Sequence, residues 1–203
     1  MVYDIQDNGC RSYTYISTMG MLMEACIEHG KELIVLDRPN PLGGEKIEGC
    51  LVEDGYISFV SQFKIPYLYG QTPGELALYL NATDYENKCK LTVVKMKGWE
   101  RDMTWDETGL EWIVASPHVP HGQSAVFYPV TGIFGEFGYI SIGVGYTLPF
   151  EVMGAPWISA DTLAEAMNAL ELPGLEFRPI YYKPYYSTFQ GELCQGVQIH
   201  ILD

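Results

Sequence analysis

Asp4 and Asp7 stand at the end of a short apolar segment, Asp37 and Arg38 close a second, and Glu48 follows within Ile47-Glu48-Gly49. If the two segments are parallel strands, the first four side chains converge beyond the carboxyl ends of the sheet, where ligands bind in open α/β folds. Acidic residues at strand ends also form turns and cap helices, so placement alone leaves Asp7 and Asp37 open between the two uses. Further along, Glu136 sits in Gly132-Ile133-Phe134-Gly135-Glu136-Phe137-Gly138, and Glu151 follows Pro149-Phe150. Glycine beside a carboxylate lets backbone approach a ligand closely, although glycine-rich runs form plain turns as well. Gly143-Val144-Gly145 lacks the strand-to-helix setting of a phosphate loop, so a dinucleotide site is disfavoured and no cofactor is expected. His118 and His121 are three apart in Ser116-Pro117-His118-Val119-Pro120-His121. Two prolines exclude a helix that would aim both rings at one metal, and the reading is of hydrogen-bonding or plain loop histidines with no metal site. No Ser-His-Asp set, nucleophile elbow or reactive-cysteine setting is discernible.

The elements that must hold these residues follow from periodicity. Val2 to Gln6 reads as a strand. Ser17 to His29 places Met19, Leu22, Met23, Cys26 and Ile27 at helical spacing before Gly30, and Leu33-Ile34-Val35-Leu36 reads as a strand buried on both faces. Strand, helix, strand is the βαβ unit of a parallel sheet. A second helix begins at Thr72 as N-cap, with Pro73 at the first position and Glu75 near N3, and Lys90 to Met96 is the next strand. Residues 42–71, between strand and helix, form an excursion long enough to suggest a functional loop. Beyond Trp99 the composition shifts to Gly, Pro and aromatics. Ala125 to Tyr128 and Tyr139 to Ile142 read as short β pieces, a helix runs from Ser159 or Ala160 to Asn168, and strands are expected at Glu176 to Tyr182 and Gly196 to Leu202. The fold class is therefore α/β: part of a Rossmann-like parallel-sheet domain over residues 1–104, followed by a smaller α+β domain over 105–203. Bare strands at both ends suggest a fragment.

Composition narrows the partners. Twelve Lys+Arg against 26 Asp+Glu give a formal net charge of −14, which leaves no basic stripe for nucleic acid and disfavours anionic membranes. No apolar run approaches a membrane span, and residues 1–20 carry no secretory signal pattern. Cys10, Cys26, Cys50, Cys89 and Cys194 are irregularly spaced and read as buried free thiols. Aromatics make up 13% of the chain and gather at Tyr181, Tyr182, Tyr185 and Tyr186, where they suit either sugar stacking or core packing.

The stretch Asp4-Ile5-Gln6-Asp7-Asn8-Gly9-Cys10-Arg11-Ser12-Tyr13-Thr14-Tyr15-Ile16-Ser17-Thr18-Met19, with Leu36-Asp37-Arg38-Pro39-Asn40-Pro41 and Ile47-Glu48-Gly49, closely resembles the NamZ family of exo-β-N-acetylmuramidases. Met96-Lys97-Gly98-Trp99, the Ser116 to His121 string, Gly143-Val144-Gly145-Tyr146-Thr147-Leu148-Pro149-Phe150-Glu151 and Gly196-Val197-Gln198-Ile199-His200 extend the resemblance along the whole chain. It implies a Rossmann-like domain and a smaller one with the active site in the cleft between them. It also implies removal of N-acetylmuramic acid from the non-reducing ends of peptidoglycan fragments by periplasmic or secreted enzymes. The family pattern begins upstream of Asp4, with a Gly-Pro-Glu-His-Gly motif whose Glu is a proposed catalytic residue, and continues past Leu202. The expectation is a chain truncated at both ends and inactive alone.

Glycoside hydrolysis uses two carboxyl groups, one protonated and one ionised. Glu48 is the candidate for the member present here. Asp4 and Asp7 would orient it or bind hydroxyls, and Arg38 would receive the lactyl carboxylate of muramic acid. Asn40, His118 and Glu136 are further substrate-binding candidates, with Tyr13 and Tyr15 as stacking faces. The expected partners are muropeptides, with no nucleic acid and no membrane insertion. The competing expectation is a non-catalytic muropeptide-binding module.

Overall fold

Glu32–Leu36 (β2) is an unbroken apolar run after its first residue, and it forms the centre of a three-stranded parallel sheet. Val2–Tyr3 (β1) pairs on one side and Lys90–Val94 (β3) on the other. This computed structural model describes residues 1–202 and divides into two units, Met1–Ala115 and Ser116–Asp203.

In the first unit, Tyr15–Glu28 (α1) and Pro73–Thr83 (α2) share one core with the sheet. Met19, Met23 and Cys26 of α1 meet Leu76, Ala77 and Leu80 of α2 over Leu33 and Val35. Burying each large apolar side chain contributes about 1.5–3 kcal/mol, so these residues dominate the stability of the unit. Ile34 and Leu36, which point to the opposite face, are only half-buried. The expectation of a strand covered on both faces is thus corrected: among the described residues, both helices lie over the Leu33–Val35 face. The start of α2 follows its sequence signals. Thr72 Oγ1 accepts the Glu75 N–H at 3.2 Å, the Glu75 carboxylate accepts the Thr72 N–H at 3.1 Å, and Pro73 opens the helix.

The second unit holds an antiparallel sheet of Val152–Ala155 (β4), Leu175–Tyr182 (β5) and Cys194–Ile201 (β6), in the order β4-β6-β5. Pro179 is tolerated because β5 is an edge strand. Gly122–Glu136 (α3) corrects the expected β piece at Ala125 to Tyr128. Val126, Phe127 and Tyr128 ahead of Pro129 carry a strand-like composition. The helix is nonetheless held by burial of Ala125 and Phe127 and by Thr131, whose hydroxyl donates to the carbonyls of Phe127 at 3.2 Å and Phe150 at 2.9 Å. Ala160–Asn168 (α4) buries Ala160 and Ala164, and Asn168 clamps Phe177 through both amide groups at 2.8 and 2.9 Å. Of the expected piece at Tyr139 to Ile142, only Ser141 pairs, as an isolated bridge to Gly154 in β4. Among the described residues, no helix is long and apolar enough to cross a membrane. All five cysteines are free; four are buried, and the exposed Cys50 departs from expectation because it lies in the solvated excursion.

Candidate functional site

The segment bearing Glu48 has no extended strand, yet its backbone is fixed. Glu48 exchanges two backbone hydrogen bonds with Leu68, at 3.1 and 2.9 Å. Gly49 has φ +83°, and a Cβ there would lie 2.6 Å from Tyr67 Cβ, so the chain passes too close to Tyr67 for any side chain. Arg11 supplies the anchor: its Nη1 donates to the carbonyls of Cys50 and Ile65, both at 2.6 Å. Its guanidinium carbon lies 5.8 Å from the centre of the Tyr67 ring. Among the described residues no carboxylate forms an ion pair with this buried cation, and carbonyl oxygens replace its lost hydration. The Glu48 side chain is 60% exposed, with the Lys46 ammonium 3.8 Å away. Sequence reasoning passed over Arg11, whose one signal was an isolated cation in a polar turn of an acidic chain.

At the carboxyl end of β1, the candidates separate into exposed and enclosed groups. Asp4 is engaged by Arg38, whose Nε and Nη2 reach the same oxygen at 2.8 and 2.7 Å. Asp7 is fully enclosed. Its Oδ2 accepts the Gly9 N–H at 2.9 Å and the Tyr69 hydroxyl, while Oδ1 has no partner among the described residues. Loss of hydration outweighs these bonds and pushes the Asp7 carboxyl up to about 6, and the same burial raises the Tyr69 phenol. Both amide atoms of Asn8, the Ser17 hydroxyl and Gln6 Oε1 are also buried without partners among the described residues. Asn40 commits its amide to backbone, donating to Gln71 O at 3.0 Å and accepting the Leu42 N–H at 2.9 Å. Tyr13 and Tyr15 meet edge to face at 4.9 Å.

Asp37 answers the question its position raised. It accepts the N–H groups of Arg38 at 3.0 Å and Gly74 at 2.8 Å and the Thr72 hydroxyl at 2.9 Å, so it fastens β2 to the first turn of α2. Burial raises its carboxyl, against the pull of those bonds. It also lines a cavity with Glu75, Val93, Lys95 and Trp99.

In the second unit, His118 Nε2 lies 2.6 Å from the Tyr186 hydroxyl. His121 Nε2 stands 3.0 Å from Glu151 Oε1, and the Ser124 hydroxyl is 3.3 Å from His121 Nδ1. Burial raises the Glu151 carboxyl and outweighs the opposing pull of His121 and His200. Glu136 lies at the end of α3 in the wall of a separate cavity. Of the four tyrosines that cluster in the sequence, Tyr182 is in the core whereas Tyr181, Tyr185 and Tyr186 are exposed. Among the described residues no three His, Cys, Asp or Glu side chains gather as a metal ion would require.

Comparison with known proteins bears on what this arrangement does. A family model described as exo-beta-N-acetylmuramidase NamZ, N-terminal, matches residues 1–123, and one described as exo-beta-N-acetylmuramidase NamZ, C-terminal, matches residues 126–203. Over 203 residues the chain is 47% identical to the peptidoglycan beta-N-acetylmuramidase NamZ of Bacillus subtilis (strain 168), covering 100% of this chain and 49% of that protein. A solved DUF1343 family protein from Bacteroides fragilis NCTC 9343 superposes with a TM-score of 0.92 at 64% identity, covering 100% of this chain and 53% of that one. A second DUF1343 family structure from the same organism gives 0.79 at 30% identity, covering 97% and 52%. The chain thus spans about half the length of the relatives it matches.

Proposed function

The chain belongs to the NamZ family of exo-β-N-acetylmuramidases, and from that premise we propose that it carries part of a glycosidase site that releases N-acetylmuramic acid from the non-reducing ends of peptidoglycan fragments. The observation that carries this reading is the match of both family models, which together take in nearly the whole chain. Such a substrate lies in the cell wall, so the enzyme works in the periplasm or outside the cell.

Glu48 is one member of the carboxylate pair. Its exposure and the neighbouring Lys46 ammonium suit the ionised member, the one that activates water or attacks, rather than the proton donor. Asp7 cannot bind a substrate hydroxyl while enclosed, so its part is to hold the Gly9 turn and Tyr69 beneath the carboxyl end of β1. The lactyl carboxylate binds Arg38 in competition with Asp4, which makes Asp4 a gate on that cation. Tyr13 and Tyr15 offer ring faces to the sugar, and Asn40 holds the turn after β2. The 203 residues alone do not complete the pair.

Assaying a chromogenic N-acetylmuraminide tests this reading. The chain extended to the length of its relatives releases the dye, and the 203-residue chain does not. Turnover by the short chain contradicts the incomplete pair. Saturable muropeptide binding without turnover in the extended chain would replace the hydrolase with a binding module.

A further inference from the structure

We propose that the second unit contains a pocket for a neutral, hydroxyl-bearing sugar ring, walled by Tyr128, Gly132 and Glu136 of α3, by Ser141, Ile142 and Phe150, and by Ser187 and Thr188. The cavity has a volume of about 260 Å³, of the size of one pyranose rather than a longer oligosaccharide. This inference rests on the peptidoglycan reading above for the identity of the polymer, but not for the pocket itself.

The pocket is built rather than incidental. Ser141 is 2% exposed and lines it, and its Oγ has no hydrogen-bond partner among the described residues, although both its backbone groups are paired with Gly154. An unpaired buried hydroxyl is costly unless something else satisfies it. Two non-glycine residues of the wall, Phe150 at φ +68° and Ser187 at φ +70°, occupy the left-handed region. A bulky residue is rarely held there without a purpose. Phe150 is locked in that state from both sides: its N–H donates to Ile142 O at 2.7 Å, and its carbonyl accepts the Thr131 hydroxyl at 2.9 Å. The loops that carry the other walls are tied together by the Tyr185 N–H on Gly145 O at 2.8 Å. Gly145, at φ +88°, faces the Tyr186 carbonyl so closely that a Cβ would lie 2.1 Å from it. Gly132 keeps the α3 wall open, since a Cβ there would meet the Tyr128 ring at 3.3 Å.

The chemistry of the wall selects the ligand. Tyr128 and Phe150 meet edge to face at 5.0 Å and offer apolar surface to the C–H face of a ring. Ser141, Ser187 and Thr188 provide hydroxyl groups for its hydroxyls. Among the described residues Glu136 is the one charged side chain in the wall and no Lys, Arg or His lines it, so a phosphate or carboxylate is disfavoured. The pocket therefore discriminates against the acidic N-acetylmuramic acid and accepts the neutral N-acetylglucosamine of the same polymer.

Backbone amide shifts of the 203-residue chain, followed by NMR, test this with three ligands: methyl N-acetyl-β-glucosaminide, N-acetylmuramic acid and glucosamine. The neutral sugar is expected to give saturable shifts at Ile142 to Val144 and at Ser187 and Thr188, with N-acetylmuramic acid at least about tenfold weaker. Gly132→Leu fills the pocket and abolishes the shifts. Glu136→Gln, an exposed change that folding tolerates, keeps the neutral sugar and narrows the discrimination. Absence of saturable shifts with the neutral sugar, equal binding of the acid, tighter binding of the protonated amine, or no effect of either variant overturns the proposal. Dye release by the extended chain separates the two readings: if it persists when the sugar fails to bind, the pocket assignment alone is wrong. If the sugar binds and the extended chain releases no dye, the hydrolase reading is the one that falls.

Discussion

Replacing Asp7 with Asn isolates the contribution of one enclosed carboxyl to stability. Burial moves this group from an ordinary 3.8 to about 6, which corresponds to about 3 kcal/mol between the protonated and ionised forms. The folded chain holds the proton more tightly than the unfolded chain. The associated stability is therefore complete below about pH 4, is lost as pH rises toward about 6, and levels off beyond. The amide introduced by Asp7→Asn is neutral throughout; its carbonyl accepts from Gly9 and Tyr69 in place of Oδ2, and its amino group occupies the position of the unpartnered Oδ1. That leaves a buried donor unpaired at a constant cost of about 1–3 kcal/mol, which does not vary with pH. Asp37 and Glu151 are also raised by burial and tilt stability in the same direction, but they remain in the variant and cancel in the comparison. Urea unfolding followed by tryptophan fluorescence and circular dichroism at pH 4, 5, 6 and 7 reads the difference. Relative to wild type, the variant should gain about 2.4 kcal/mol between pH 4 and pH 7. Parallel pH profiles for the two proteins refute the reasoning.

Arg11→Met removes the two carbonyl contacts that pin the Glu48 segment, costs about 2–4 kcal/mol and speeds amide exchange at Glu48 and Leu68; unchanged exchange there contradicts the anchoring role. Thr72→Ala breaks the capping box and the bond to Asp37, with an expected loss of about 1–2 kcal/mol in urea unfolding, whereas a neutral result would show that Pro73 and Glu75 suffice. Gly145→Ala forces a Cβ against the Tyr186 carbonyl at φ +88°, and thermal unfolding should show the second unit destabilised by at least about 2 kcal/mol. With a thiol reagent under native conditions, Cys50 should react first and the four buried cysteines only on unfolding; rapid reaction of more than one would contradict the burial pattern.

Much of the fold was legible because its signals were local. Thr72, Pro73 and Glu75 specify the start of α2 within four residues, and Leu33 to Leu36 identify the central strand. The α3 helix was not legible, because what holds Val126 to Pro129 helical is burial and a Thr131 bond to Phe150, nineteen residues along the chain. The strand β4 was missed for a similar reason: Val152–Ala155 is short, contains Gly154, and is defined by pairing with distant β6. Sequence position brought Asp4 and Arg38 into one cluster, and the structure pairs them. It did not separate the enclosed Asp7 from the exposed Asp4, since burial depends on Tyr69 arriving from the far end of the excursion. Ser141 left no trace in composition or spacing, because what sets it apart is a buried hydroxyl without a hydrogen-bond partner among the described residues, a property visible only in three dimensions.

The proposed role of Glu48 is tested most directly by steady-state kinetics of Glu48→Gln in the chain extended to the length of its relatives, with a chromogenic N-acetylmuraminide as substrate. If this carboxylate is half of the catalytic pair, kcat falls by about 10²–10⁴-fold while KM changes little. A kcat within about threefold of wild type in a folded variant would place the chemistry elsewhere.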